Sequence, residues 1–461
     1  MEDLIFTTLV LGLGLGIHQA VLRAHPRSFE QRLLNRSFLA HVAAGFALIL
    51  VYRYYYANEE GEGTGDLNMY HRFGAPIADA LRYDFGSVFP EVWSLFLHRD
   101  YMLPLEPFGT GSTGTMQAVA VALFYVLGNS LFAATTVIAV GSYLSKVMIY
   151  RALRSSFPEE QHDKVLLAIS LSPTGVVWTC AMLKEPILML AFGPMFVALK
   201  WVLDGRRLAA AVVVLVISGA VILLIKPYVI IAAALAAAVW FFWARTLKSD
   251  TNFAVKPLYF VLAAAVVVIG FAAASAAFPS LSPDQLAESI QYQRRAAATS
   301  TGGSNFYLEG PGAPMNEAPQ RGIISQLGLV PLALITALFR PFIFESFSAM
   351  QFLNAIEMTW LTWLAIQAWR RNRFRGLLRR VTANPALMFC LTFVLVLAMG
   401  TGLSTANLGT LSRYRAPMMP FFLLMLLVLR EPETTTAPAA APTQDPRTGF
   451  KVDAVAGASS T

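Results

Sequence analysis

The chain is short of charge. Only 14% of its 461 residues are Asp, Glu, Lys or Arg, against about a quarter in a soluble protein of this length. That density is too low to cover a water-facing surface, which excludes a soluble domain. Cysteine is almost missing too. Cys180 and Cys390 both sit inside apolar runs, which argues against a disulfide framework and a zinc site. Strict apolar–polar alternation is also lacking, and with it the pattern of a membrane β-barrel. What the chain does have is hydrophobic residues, 56% of the total. Several continuous runs reach the roughly 20 residues that cross a hydrocarbon core about 30 Å thick. The expected fold is all-α, a polytopic transmembrane helical bundle.

A net charge of +7 raises the question of nucleic acid, and the placement of the basic residues answers it. They cluster in short loops between apolar runs, the usual signature of cytoplasmic loops facing anionic lipid. No nucleic-acid partner is expected. The start, "MEDLIFTTLVLGLGLGIHQAVLRAHPR", has acidic residues ahead of its apolar run and no small-residue cleavage site. It reads as a retained first span rather than a cleaved signal peptide.

Arginine and lysine orient the spans. The loop "RAHPRSFEQRLLNR" holds four arginines and is expected in the cytoplasm, with the N-terminus outside. A second span, about Ser37 to Tyr55, leads into an outer loop over residues 57–115. This loop carries nine acidic residues, with Arg72, Arg82 and Arg99 as its fixed positive charges. The basic loops beginning at Arg151, Asp204, Arg245 and Arg370 then fall inside, while outer loops lie at 279–322 and 405–417. About 11 spans result. Outer-face interfacial helices are expected at Gln117–Leu127, broken by "GNS" from Gly128, and at Ile323–Phe339. Residues 431–461, rich in Pro, Thr and Ala, cannot bury a core and read as a disordered cytoplasmic tail. The chain divides into 1–36, an extra span and loop; 37–430, the membrane domain; and the tail. The location expected is the plasma (inner) membrane, multi-pass, with the lipid bilayer as a partner.

Ionisable residues near membrane depth are functional candidates by default, and four clusters stand out, all on the outer side. The first is Asp66, supported by Tyr70 and His71. Met69, Phe73, Ile77 and Leu81 recur every four residues behind it, predicting an amphipathic helix. Asp66 is then either the cap of that helix or a general base for an attacking sugar hydroxyl. Lys184 and Glu185 form the second cluster, either a snorkelling hairpin or a phosphate-neutralising lysine positioned by its neighbour. Arg340 and Glu345 form the third, an interfacial anchor or a cation beside a lipid headgroup. The fourth is Arg413 and Arg415 flanking Tyr414. Two arginines on the outer side break the positive-inside trend, and guanidinium groups grip phosphate bidentately.

A candidate base, cations near the headgroup region and aromatic-rich polar loops together suit sugar transfer from a lipid-linked phosphate, with the cations offsetting charge on the departing group. At these residues the chain resembles a known family. "GTGDLNMYHRFG" resembles the acidic motif of C-type (GT-C) membrane glycosyltransferases. The helix from Gln117 with its "GN" break looks like their juxtamembrane helix. "RPFIFE", "NLGTLSRYRAPMMP" and the stretch Trp178 to Glu185 are similar to segments of polymerase-like proteins of bacterial polysaccharide clusters. The resemblance covers most of Ser37 to Arg430. It implies transfer or polymerisation from a polyprenyl-phosphate- or pyrophosphate-linked sugar onto a glycan acceptor at the outer face, in cell-surface polysaccharide synthesis. Asp66 is then the base, with Arg413, Arg415, Lys184 and Arg340 near the phosphate. The chain departs from the family in lacking a second carboxylate beside Asp66, so that Glu62 or Asp84 would have to substitute. No metal ligands are assigned, and the cofactor is left open, a divalent cation included. The rival reading is a transporter or flippase of lipid-linked glycans, which wants charge at mid-bilayer depth. A transpeptidase built on Cys180 lacks a histidine partner apart from the distant His71.

Overall fold

In the computed structural model the elements formed by the described residues are all helices. The structure describes residues 2–57, 63, 65–103, 109, 111–248, 327–346 and 348–431, with single positions 261, 265 and 272. The expected outer loop 279–322, Glu62 and the tail beyond Glu431 lie outside them. An isolated antiparallel bridge pairs Ala57 with Gly63.

Two long helices open the chain, α1 (Glu2–Arg23) and α2 (Ser28–Leu50). The expected loop between them is mostly helix, because nothing in "SFEQRLLNR" breaks the ladder once Pro26 is passed. Next come α3 (Asp66–Tyr83), α4 (Phe85–Phe96), α5 (Ser112–Leu127) and α6 (Leu131–Leu153). The "GN" break falls where the sequence placed it. Gly128 and Asn129 both take positive φ, 63° and 61°, the left-handed ending that stops a helix at glycine and tolerates asparagine. The helix before it begins at Ser112, five residues ahead of the expected Gln117, and is largely buried.

The middle of the chain contains α7 (His162–Leu171), α8 (Pro173–Val177), α9 (Lys184–Leu203), α10 (Leu208–Ile225) and α11 (Pro227–Lys248). After residue 326 come α12 (Val330–Phe339), α13 (Ala349–Ala383), α14 (Pro385–Ser404), α15 (Leu408–Tyr414) and α16 (Met419–Leu429). The arginine-rich stretch from Arg370, read as a loop, is instead carried within α13. There the helix breaks only at Arg373, where φ is +54°. With ten residues, α12 rises about 15 Å, half of a hydrocarbon core.

Seven helices among the described residues are long and apolar enough to cross a membrane, or eight if the pair α15 and α16, bent by 77°, is one span. All eleven residues of α16 are buried, and a helix apolar on every side belongs in the middle of a bundle. Phe421 of this helix packs with Phe196 of α9 and with Phe389 and Phe393 of α14, at ring-centroid separations of 5.3–5.7 Å.

Close approach of helices in an apolar medium depends on small residues, since burial from lipid provides little drive. Gly193 of α9 sits against Ser145 of α6, where an added Cβ would meet the serine Cα at 2.8 Å. The Ser145 hydroxyl donates to the Met189 carbonyl and accepts the Gly193 N–H at 2.9 Å. It thus stands in for a rung of the α9 ladder just before Pro194, which has no N–H of its own.

The two ends of the bundle differ. One gathers basic residues: Arg27 pairs with Glu159, and Arg380 donates to the carbonyls of Val428, Leu429 and Glu431 at the end of α16, where a cation offsets the helix dipole. At the other end α2, α3, α9, α11 and α15 bring their polar termini together.

Candidate functional site at one end of the bundle

The site begins where α2 loosens. Its last turn, Val51–Tyr55, is a π-turn, a wider winding that turns Tyr52 inward; such turns often mark functional positions. Gly65 follows with φ +88° and ψ 174°, a region open in practice to glycine alone. A Cβ there would lie 2.7 Å from the Tyr52 ring. This turn starts α3 with Asp66 as its first residue. The capping reading of Asp66 is overturned: Gly65 holds the cap position and no side-chain cap hydrogen bond forms.

The Asp66 carboxylate goes elsewhere. Its Oδ2 accepts from Arg413 Nη1 at 2.5 Å, while Arg413 Nε donates to Glu185 Oε2 at 2.9 Å. Glu185 is wholly buried, and its other oxygen accepts from Lys226 Nζ at 2.6 Å. Lys226 also sits 4.3 Å from the centroid of the Tyr414 ring, a cation–π contact. Lys184, the first residue of α9, donates to Ser112 Oγ at 3.1 Å and Thr113 Oγ1 at 2.8 Å. Local sequence explains each position. "KEP" starts α9 with an acid and a proline in the first turn, where both are favoured. Asn407 caps α15 by accepting from the backbone N–H groups of Gly409 and Thr410, so that Arg413 falls on the turn facing α3.

Other expected site residues point away. Arg415 is fully buried and donates to the carbonyl oxygens of Ala337 and Arg340 and to Asn354 Oδ1, so it ties α12 and α13 to α15. Arg340 pairs with Glu345 at 2.7 Å. His71 meets the Asn129 carbonyl at 3.2 Å and the edge of Phe124, at the α5–α6 joint. Tyr70 lies on the buried face of α3, which runs through Leu67, Tyr70, Gly74, Ile77 and Leu81; Ile77 and Leu81 of the expected stripe are on it, while Tyr70 and Gly74 take the places expected of Met69 and Phe73. Its hydroxyl has no hydrogen-bond partner among the described residues. Burial pushes the Tyr70 phenol upward, and the Asp66 carboxylate adds to the shift. Asp84 serves elsewhere, accepting from Ser87 N at 3.1 Å at the start of α4; hydrogen bonding from the Ser87 side chain, and then from its backbone, lowers the Asp84 carboxyl below the ordinary value.

Beside the charged cluster opens a cavity of about 670 Å³, with Arg413 in its wall. Tyr52, Tyr55, Tyr56 and Trp178 give it flat aromatic surfaces, and Asn354 and Ser412 provide polar contacts. Glu357 of α13 also lines it. No group of three or more His, Cys, Asp or Glu among the described residues is placed to hold a metal ion.

No family model matches the chain, nor does any curated protein or solved structure. The reading of function therefore stands on these residues.

Sequence reasoning passed over Lys226 and Glu357 as site residues. Each is a lone ionisable group between apolar runs, and the membrane-depth argument finds them when applied to single residues as well as to clusters. The same argument finds Lys146 and His41, which meet at 2.9 Å deep between α2 and α6, with Lys146 Nζ also donating to the Gly175 carbonyl at 2.7 Å.

Proposed function

We propose that this protein is a membrane glycosyltransferase, taking its donor from a polyprenyl-phosphate- or pyrophosphate-linked sugar and working at the outer face of the membrane. In this reading the cluster end of the bundle faces outward and the basic end faces the cytoplasm, with the N-terminus outside, the C-terminus inside and about 11 spans. The observation that carries the proposal is the meeting of Asp66, Glu185, Lys226 and Arg413 beside an aromatic-walled cavity. Arg413, Lys226 and Lys184 are three cations against the two carboxylates Asp66 and Glu185, so one positive charge remains for an incoming phosphate. A phosphate at the membrane surface keeps the reacting centre where a lipid tail can stay in the bilayer.

The residues then take distinct roles. Asp66 and Glu185 grip Arg413 from two sides and aim its guanidinium, while the tyrosines and Trp178 offer ring faces to a sugar. Preorganised cations of this kind stabilise the charge that develops on the leaving phosphate. Arg415 and Arg340 hold α12, α13 and α15 in place around the cavity. Transfer of one sugar and polymerisation of repeat units both fit this arrangement.

The test is transfer in proteoliposomes supplied with a panel of polyprenyl-phosphate- and polyprenyl-pyrophosphate-linked hexoses and N-acetylhexosamines. Loss of product for Asp66→Asn and Arg413→Ala, with normal insertion, supports the reading. Product at the wild-type rate from both variants sinks it. One observation favours the rival flippase reading, namely the buried Lys146–His41 pair, because transporters place charge at that depth. Lipid-linked precursor held on the inner leaflet of cells lacking the protein would favour that rival. Accumulation on the outer leaflet favours transfer.

A further inference from the structure

Within the glycosyltransferase reading, on which this inference rests, one role is unfilled. The acceptor hydroxyl must lose a proton, and Asp66 is badly placed to take it. Its Oδ2 is committed to Arg413, and Asp66 is not among the residues that line the cavity. It also stands with the cations that the leaving phosphate needs.

Glu357 is different. It lines the same cavity as Arg413, and its residue is 7% exposed. Its hydrogen bonds among the described residues fall on one oxygen: Oε2 accepts from Thr174 N at 2.9 Å and from Thr174 Oγ1 at 2.5 Å. Oε1 has no hydrogen-bond partner among the described residues, and Glu357 makes no ion pair among them. Arg415 directs its Nη1 and Nη2 at two backbone carbonyls and Asn354. A carboxylate this buried without a paired cation is expensive to keep. A hydroxyl donor arriving in the cavity would offset part of that cost.

The geometry points to Glu357 as the general base that deprotonates the acceptor sugar hydroxyl. The acceptor O–H bond breaks and its proton passes to Glu357 Oε1 while the acceptor oxygen bonds to the anomeric carbon of the donor. The bond from that carbon to the phosphate oxygen breaks, and its electron pair leaves with the phosphate toward Arg413 and Lys184. The competing role for Glu357 is structural, since its bonds to Thr174 pin the start of α8 to α13. Glutamine separates the two roles: its amide oxygen still accepts from Thr174 but takes no proton at neutral pH.

The experiment uses the full-length protein in proteoliposomes with whichever members of the lipid-linked panel the wild type turns over. General-base catalysis contributes about 10²–10⁴-fold, so Glu357→Gln is expected to insert and melt like wild type yet transfer at least about 100-fold more slowly. Glu357→Ala is assayed with added azide, a nucleophile that carries no proton to remove. Formation of the glycosyl azide by this variant, and not by Arg413→Ala, supports the assignment. Glu357→Gln transferring at the wild-type rate overturns it, as does Glu357→Ala that forms no glycosyl azide although well inserted. A wild-type protein that transfers from no member of the panel overturns the parent reading, and this inference with it.

Discussion

Arg413 Nη1 and Asp66 Oδ2 stand 2.5 Å apart across a sequence separation of 347 residues. The same guanidinium reaches Glu185, so one side chain on α15 joins the first turns of α3 and α9. Asp66 keeps 36% of its side chain exposed while that of Glu185 is fully buried, and the two carboxylates should therefore respond differently to removal.

Asp66→Asn should lower the melting temperature in detergent only slightly. A partly exposed ion pair contributes about 0–1 kcal/mol. Transfer from lipid-linked sugar should nevertheless fall at least tenfold, because Arg413 loses one of the two grips that aim it. A large melting shift with unchanged transfer would reverse this assignment.

Glu185→Gln should be far more damaging to the fold. Removing one partner from a buried ion pair costs about 3–5 kcal/mol, and here both Arg413 and Lys226 lose a counter-charge. Size-exclusion profiles in detergent should show loss of the monodisperse peak. Adding Lys226→Met removes one of the stranded cations and should recover part of the folded yield.

Gly65→Ala tests the turn that launches α3. The substitution meets the Tyr52 ring and also forces an L-residue into a region that costs about 1–3 kcal/mol. Shortening Tyr52 to alanine relieves the first penalty and leaves the second. The double variant should thus melt closer to Tyr52→Ala than to wild type while remaining below both.

Tyr70→Phe removes a buried hydroxyl that has no partner among the described residues. Deleting such a group should leave thermal stability unchanged or raise it by up to about 1 kcal/mol. The pH dependence has a definite sign. Burial raises the Tyr70 phenol in the folded state, so its contribution is present below the unfolded value near pH 10 and is lost as pH rises. The variant should therefore resist alkaline unfolding, followed by circular dichroism, slightly better than wild type.

Much of this architecture was legible along the chain because local chemistry encodes it. Continuous apolar runs dictate helices whatever surrounds them, and Gly128 and Pro186 punctuate the chain by their own backbone preferences. The amphipathic stretch from Asp66 is a helix for the same reason. The clusters at Asp66, Lys184–Glu185 and Arg413 stood out as ionisable groups that lipid would not tolerate alone. Their partners did not stand out. Nothing near Asp66 announces an arginine 347 positions away, and nothing separates Arg413, which faces the cavity, from Arg415, which is spent on backbone carbonyls. Arg413 on α15 and Arg415 just past its end point in different directions, and which direction is productive depends on the helices packed around them. Glu357 was hidden for a similar reason: a lone acid in an apolar helix becomes a cavity wall only once α8 and α15 stand beside it. Sequence alone determined that the chain is helical, membrane-embedded and furnished with charges needing partners, since those properties follow from each segment's own solvation and backbone preferences. Only the tertiary structure decided which charges meet, because pairing depends on packing between segments far apart in the chain.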